Sequence, residues 1–437
     1  MPADNIQQLI NRRRALLGPN VPTFYHQPVH LVKGEGVWLW DAEGKKYLDC
    51  YNNVPHVGHC HPRVVEAICQ QASTLNTHTR YLHEGILNYV ERLTATFDDN
   101  LSTAILTCTG SEANDIALRM ATGVTRNTGV IVTDSTYHGN TTAVAELTQR
   151  MGPGVKTSGR ARFVPAPDSY RPLGGEAGLP HAHVFADAIG EQIEALSKTE
   201  HGFSALMVCP FFANEGFPNL PIGWLKPAVD KVHAAGGIVI CDEVQPGFGR
   251  LGSHMWGHQK QAFAPDVVTL GKPMANGHPV GAVVTSADTM AAFRNSFRYF
   301  NTFGGNPVSC AAAMAVLDVL EEEKLMEHAK ITGDYIQGKL RILKDKHACV
   351  GDVRGSGLFF GAEMVTDKKT GAPATNLTEI IVNEMRHQGV LLSSLGPARN
   401  TLKMRPPLPF TNDNADVLFD VLDSVLDKAM NSSISQQ

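Results

Sequence analysis

No stretch of the 437-residue chain approaches the roughly 20 consecutive apolar residues that cross a bilayer. A helical membrane span is therefore excluded. The opening residues, MPADNIQQLINRRR, lack the apolar segment of a secretory signal, which sets the expectation of a cytoplasmic protein. Cysteine occurs eight times, yet no two residues form a Cys-x-x-Cys pair. Scattered thiols, some inside apolar runs as at Cys108 and Cys209, read as free and buried in a reducing compartment. Charge of one sign is scarce. A formal net charge of −5 gives no reason to expect nucleic acid or an anionic membrane surface as a partner. There is no internal repeat and no low-complexity tail. What is present is an ordinary globular composition, 43% hydrophobic and 19% charged, on a chain long enough for about two or three domains.

The apolar residues are distributed informatively. AILTC (104–108), GVIVT (129–133), ALMVC (205–209), GIVIC (237–241) and DVVTL (266–270) are short, nearly unbroken apolar runs separated by helical patterns. Strands buried on both faces read this way, so a mostly parallel sheet covered by helices is expected. Residues 36–50 read as two short strands joined by a turn at Ala42-Glu43-Gly44, and Pro62 opens a helix. A Gly/Pro-rich excursion at 151–181 is long for a plain connection and reads as an active-site loop. After about 310 comes a long helix, AAAMAVLDVLEEEKL, and then a mixed α+β stretch.

In such a sheet, ligands gather beyond the carboxyl ends of the strands. Three strand ends carry chemistry. CTGSEAND (108–115) places Gly110 and Ser111 at a helix N-terminus, where free N–H groups and the helix dipole favour an anion. Read alone, it is equally an ordinary serine cap. CDEVQPGFGR (241–250) sends a buried strand into two adjacent carboxylates, Asp242 and Glu243, which is costly unless a cation meets them. Asp242 alone could cap a helix or pair with Arg250. PDVVTLGKPMANG (265–277) puts Lys272 directly after a strand and a glycine, where a solvated loop lysine is the ordinary alternative. Together the three supply what pyridoxal phosphate needs: a phosphate cradle, a carboxylate for the pyridine nitrogen and a lysine for the aldehyde.

These stretches resemble the class III pyridoxal-phosphate aminotransferases, the ornithine/ω-aminotransferase family. The similarity covers nearly the whole chain, and VICDEVQPGFGRLGSHMWGHQ followed by APDVVTLGKPMANG is highly specific. The resemblance implies an α/β protein of fold type I, with a mostly parallel large domain and a smaller α+β domain. Residues 1–60 would form an N-terminal segment of the small domain, 61–318 the large cofactor-binding domain, and 319–437 the C-terminal small domain. It implies Lys272 as the Schiff-base lysine, Asp242 on the pyridine nitrogen, Gln245 near the ring hydroxyl and Val244 under the ring. Gly110 and Ser111 would bind the phosphate and Tyr137 would stack on the ring. Thr302, in NTFGGNP, would reach the phosphate of a neighbouring subunit's cofactor in a homodimer with shared active sites. Arg405, in LKMRPPLPF, matches the arginine that receives a substrate carboxylate.

Two departures bear on the reaction. In FFANEGFPN (211–219), Asn214 stands where ornithine- and 4-aminobutyrate-type members have a glutamate that pairs with the arginine. That leaves Arg405 free for an anion. YNNVPHVGHCHP (51–62) and LNTHTRYLHE (75–84) resemble a subgroup holding ethanolamine-phosphate and phosphohydroxylysine phospho-lyases as well as alanine–glyoxylate-like transaminases. In the phospho-lyases a tyrosine and an arginine of these stretches meet the substrate phosphate, and they match Tyr51 and Arg80. Core packing for Tyr51 and an interface ion pair for Arg80 are the plain alternatives. The subgroup's vertebrate lyases resemble one another in having lysine at the position of Arg405, which keeps the transaminase reading open. The reaction the resemblance implies is thus elimination of phosphate from O-phosphoethanolamine to give acetaldehyde, ammonia and phosphate, with ω-transamination from an amine or ω-amino acid to pyruvate or glyoxylate as the alternative. A non-catalytic binding protein would have no need of Lys272. His56, His59 and His61 with Cys60 lack the spacing of a zinc site, and no metal is expected.

If Lys272 carries the cofactor, Lys272→Ala folds but has no steady turnover. Its cofactor absorbance then disappears, or shifts to that of a non-covalent complex, once free cofactor is removed. A normal rate in that variant would sink the assignment.

Overall fold

The computed structural model describes residues 6–149 and 155–434, with side chains to 429. Its centre is a seven-stranded sheet. Across the sheet the strands are Thr103–Thr107, Gly281–Thr285, Val267–Leu270, Ile238–Asp242, Phe203–Val208, Gly129–Thr133 and Ala161–Val164. Six run in one direction, while Gly281–Thr285 is antiparallel to both its neighbours. Five of the strands, the antiparallel one included, are buried at every residue, which is why they appear as nearly unbroken apolar runs. The five runs read from the sequence all lie in this sheet. The antiparallel strand escaped notice although its pattern is the same, and the edge strand Ala161–Val164 because its segment carries a less distinctive one.

The remaining strands form two smaller sheets. Leu31–Glu35, Trp38–Asp41 and Lys46–Asp49 make an antiparallel meander whose outer strand pairs in parallel with Val390–Leu391. Gly44 sits at φ 84° in the second of its turns, a conformation that favours glycine. The third sheet joins Val350–Ser356, Phe359–Asp367, Thr401–Met404 and Ser393–Leu395. We propose the boundaries near residues 60 and 318 as working domain limits. The meander draws strands from both sides of the large sheet in sequence, so such a small domain would be discontinuous.

Local chemistry explains the helix starts. Pro62 and Pro307 occupy first-turn positions, where the absent N–H is not missed. Asn306 caps the helix Pro307–Glu322 by accepting from Ser309 N at 2.9 Å. The described part of the excursion after residue 150 packs away from the cavities at the strand ends. Residues 150–154 lie outside the described residues, and the rest contain the edge strand and contacts to the third sheet. Arg171 donates to Glu363 and to Gly371 O, and Tyr170 Oη donates to Lys368 O. None of its described residues lines either cavity discussed below.

Arg250 fastens the three parts together. It is fully buried, and no described carboxylate forms an ion pair with it. Its Nη1 donates to Leu358 O at 2.9 Å and Pro406 O at 2.7 Å, and its Nη2 donates to His56 Nδ1 at 3.1 Å. Burial, with Arg405 nearby, pushes its pKa down to about 9. His56 Nε2–H in turn donates to Phe248 O at 2.7 Å, and burial holds this imidazole neutral. Arg250→Met is expected to cost about 1–3 kcal/mol for each carbonyl left without a donor. A drop in the urea midpoint would show it, and an unchanged midpoint would remove Arg250 from this structural role.

Candidate active site

The carboxyl ends of the parallel strands open into a cavity of about 330 Å³. Each strand end contributes. Cys108 to Ser111 follow Thr103–Thr107, Tyr137 to Gly139 follow Gly129–Thr133, and Cys209 and Asn214 follow Phe203–Val208. Asp242, Val244 and Gln245 come from the next strand, and Lys272 from Val267–Leu270. A second cavity of about 590 Å³ adjoins it, lined among others by Phe24, Tyr51, Arg399, Lys403 and Arg405. Tyr137, Asn214, Gln245 and Lys272 line both, so the inner and outer cavities meet at Lys272.

The two adjacent carboxylates part company, as side chains of successive strand residues must. Glu243 turns into the protein. It accepts from Gly257 N at 2.9 Å, from His258 N at 2.8 Å and from His258 Nδ1 at 2.9 Å. With Cys241 it forms a group that could in principle hold a metal. Both carboxylate oxygens are already engaged by N–H donors, and burial keeps the Cys241 thiol protonated, so the cluster is a structural staple. Asp242 turns to the inner cavity and does not pair with Arg250. Its Oδ2 accepts from His138 Nδ1 at 2.7 Å and Asn114 Nδ2 at 3.1 Å, and its Oδ1 from Val244 N at 3.0 Å. A carboxylate only accepts, so His138 directs its Nδ1–H at Asp242, and Thr136 Oγ1 lies 3.0 Å from His138 Nε2.

At the phosphate end, Ser111 is not the helix cap. Thr109 caps Gly110–Thr125, its Oγ1 accepting from Glu112 N at 3.1 Å while Glu112 Oε2 accepts from Thr109 N at 3.0 Å. The first-turn N–H groups of Gly110 and Ser111 have no intrahelical acceptor, and both residues line the cavity. Close backbone approach shapes the cradle. A Cβ on Gly110 would meet Val244 Cγ2 at 3.0 Å, and one on Gly139, at φ 141°, would meet Ser111 Oγ at 2.5 Å. Lys272 lines both cavities with its side chain open to them, and its amine pKa is lowered by desolvation among the surrounding groups and then by Arg405. A cationic ring nitrogen, an aldehyde and a phosphate would each find a complementary group here.

Arg405 and Tyr51 come together in the outer cavity, with the guanidinium carbon 5.2 Å from the ring centroid. Glu215 does not substitute for the missing glutamate beside Asn214. It accepts from Thr133 Oγ1 at 2.5 Å and from Asn214 N at 3.0 Å. Within one chain, Arg80 and Thr302 join neither cavity. The Arg80 guanidinium lies 3.8 Å from the Phe300 ring centroid, in a separate surface hollow with Arg294 and Arg298. Thr302 is exposed. The histidines of 56–61 turn to different partners: Phe248 O for His56, Asp49 at 2.7 Å for His59 and Glu323 at 3.1 Å for His61.

With this geometry in view, the comparisons are decisive about family. The class III aminotransferase profile matches residues 22–426. The chain belongs to the class III aminotransferase family. A Drosophila melanogaster protein described as alanine–glyoxylate aminotransferase 2-like is 40% identical, over 94% of this chain and 85% of that protein. Ethanolamine-phosphate phospho-lyase homolog 1 of Caenorhabditis elegans is 36% identical, over 96% and 93%. Among solved structures, an Arthrobacter phospholyase in complex with phosphoethanolamine superposes with a TM-score of 0.92 at 46% identity, covering 96% of this chain and 99% of that one. Membership makes pyridoxal phosphate the cofactor, and the groups lining the inner cavity are of the kinds it needs: we propose that Gly110 and Ser111 would hold the phosphate, Asp242 the ring nitrogen and Lys272 the aldehyde.

His138 and Asn114 were not apparent in the sequence, because nothing in TYHGN or SEAND distinguishes a buried partner of Asp242 from a surface polar residue. His138→Phe is expected to weaken cofactor binding about tenfold or more, since a charge-assisted hydrogen bond contributes roughly 1.5–3 kcal/mol. Equilibrium dialysis against pyridoxal phosphate measures this. Partial rescue by His138→Gln would separate donation to Asp242 from mere packing.

Proposed function

We propose that this chain is a phospho-lyase that consumes O-phosphoethanolamine and water and yields acetaldehyde, ammonia and phosphate. The carrying observation is the outer cavity. Buried Arg405 lines it beside Tyr51, and no described carboxylate forms an ion pair with Arg405. Phosphoethanolamine has no carboxylate, so the anion that orients it is its phosphate. The likeness to the Arthrobacter phospholyase supports the same reading.

Bound pyridoxal phosphate supplies an electron sink for the carbon that bears the substrate's amine. Lys272 lines both cavities, and its lowered pKa suits a general base. We assign it the transfer of the proton from that carbon. The C–O bond to phosphate on the adjacent carbon then breaks, and the departing phosphate takes the electron pair. Arg405 offsets the charge that develops there, and Asn214 and Tyr137 close the wall between the cavities. Arg80 is proposed to act from a second copy of the chain, with Thr302 serving the partner's cofactor phosphate. Tyr81, Leu82, Leu87 and Phe303, near these two residues in sequence, are exposed apolar side chains that a dimer would cover. The second reading, an ω-transaminase, draws on the guanidinium of Arg405, whose planar fork also suits a carboxylate, and on the alanine–glyoxylate-type relatives.

Incubation with phosphoethanolamine is expected to release phosphate without any keto acid. In Arg80→Ala, kcat/KM should fall about ten- to a hundredfold, since ~1.4 kcal/mol is a factor of ten, with cofactor binding intact. Amino transfer to pyruvate or glyoxylate without phosphate release would replace the lyase by the transaminase. Sedimentation showing an active monomer would refute the shared site.

A further inference from the structure

Beside Arg405 stands a cation that no motif singled out. Lys403 lies in the strand Thr401–Met404, every residue of which is buried, and is itself only 5% exposed. The strand sits between Phe359–Asp367 and Ser393–Leu395, with Lys403 facing Gly361 on one side and Ser393 on the other. A lysine in that position is expensive unless its charge is met. Its Nζ donates to Gln245 Oε1 at 2.9 Å and to Ala213 O at 3.3 Å. An ammonium has three donors. No hydrogen bond from the third is present among the described residues.

Arg405 is two residues further on and 6% exposed. Its Nη1 donates to the same Gln245 Oε1, and its Nε has no acceptor. Both neighbours of that amide atom can only donate, so it must be the oxygen. One neutral oxygen therefore holds the two buried basic groups side by side, and burial and then the neighbouring Arg405 hold the pKa of Lys403 well below that of an ordinary lysine. Neither forms an ion pair with any described carboxylate. Asp49, which acts on Arg405 from a distance, is committed to His59 and to the N–H groups of Tyr51 and Asn52. Of the residues lining the outer cavity, Glu379 is the only acid, and His26 holds it at 2.7 Å. Arg399 and Lys272 add to the positive side.

We infer that Lys403 and Arg405, bridged by Gln245, form a two-cation clasp for the dianionic phosphate of the substrate, and that Lys403 makes the site select phosphate over carboxylate. A single guanidinium satisfies a carboxylate, which carries one charge. A second cation, with a compact ammonium that acts as a point charge, matches the second charge of a phosphate. The same bridge gives Gln245 its orientation. With its oxygen held by the two cations, its amide N–H groups are left for the inner cavity. The inference rests on the phospho-lyase reading, but its ligand chemistry is testable apart from it.

The test uses the holoenzyme. Inorganic phosphate at millimolar concentration should raise the Tm of the wild type more than acetate does at matched ionic strength. It should also inhibit competitively against phosphoethanolamine. In Lys403→Met the phosphate-specific shift should vanish while the acetate response persists. KM for phosphoethanolamine should rise about tenfold or more, the scale of one charge-assisted contact. Lys403→Arg, which keeps the charge, should retain most of the phosphate response. Replacing a buried charge by an apolar side chain of similar size is commonly tolerated, and Lys403→Gln serves if the methionine variant does not fold. Phosphate release by wild type, with an unchanged phosphate shift and KM in Lys403→Met, overturns the clasp and leaves the lyase standing. A Lys403-dependent phosphate shift in a wild type that releases no phosphate overturns the lyase and leaves the clasp. Equal responses to phosphate and acetate in both proteins overturn the clasp outright.

Discussion

The structure depends on a concentration of buried positive charge that its own carboxylates do not neutralise. Lys403 and Arg405 are buried in one wall, Arg250 is buried behind it, and Lys272 projects into the cavity beside them. Burial lowers the pKa of each, and for Lys272, Lys403 and Arg250 Arg405 is the next cause. Such a group is unfavourable to folding unless hydrogen bonds replace lost hydration. The carbonyls of Leu358, Pro406 and Ala213 and the Gln245 oxygen provide that replacement. They come from widely separated stretches of chain. The charge is therefore also what holds the end of the central sheet against the third sheet and the segment around His56. Polar acceptors keep the cations in place but do not cancel their charge, and what is left over is available to an anionic ligand.

The negative counterpart is distributed with equal economy. Adjacent carboxylates at a strand end could have repelled one another and wasted their desolvation. Strand geometry sends them to opposite faces. Glu243 joins the central sheet to the turn at Gly257–His258, while Asp242 is kept for the cavity by His138 and Asn114. The inner cavity thus presents a carboxylate at one end and free helix N–H groups at the other. A zwitterionic aromatic phosphate fits that polarity. Among the described residues the outer cavity has no comparable carboxylate within reach of Arg405 or Lys403, and this is why we propose that it takes the anionic part of a substrate.

Much of this was legible before the structure. Runs such as GVIVT and GIVIC announce strands buried on both faces, and the residues after them announce the ligand edge, because the parallel sheet puts every carboxyl end on one side. Gly110, Ser111, Asp242 and Lys272 were singled out in that way and line one cavity, while Gln245 was supplied by resemblance. Tyr51 and Arg405 came through resemblance, and their proximity is now plain. What stayed hidden has physical reasons. The Gly/Pro-rich stretch after 151 resembles a loop by composition, yet its Arg171 and Tyr170 are spent on the third sheet. His138 matters through a contact to a residue about a hundred positions away, and no local pattern encodes that. Lys403 was visible as an alternating cation in LKMR. Its significance requires knowing that the strand is buried, which the mixed α+β composition of the C-terminal region does not reveal.

Arg80 illustrates a different limit. Its sequence context points to substrate phosphate, whereas one chain places it over Phe300, outside both cavities. The two facts are compatible under our proposal of a shared site. An arginine packed on an aromatic ring is pre-oriented and only weakly hydrated, so delivering it to a neighbour's anion costs little further ordering. Division of labour then follows from where each cation is anchored. Lys403 and Arg405 are fixed within the chain and could bind an anion before any partner arrives. Arg80 could act only after assembly. A dimer that completes the cationic wall would thereby tie the departure of an anionic leaving group to the presence of the second copy, while Lys272 and Asp242, proposed to hold the cofactor with help from the partner's Thr302, already lie in one cavity of the single chain.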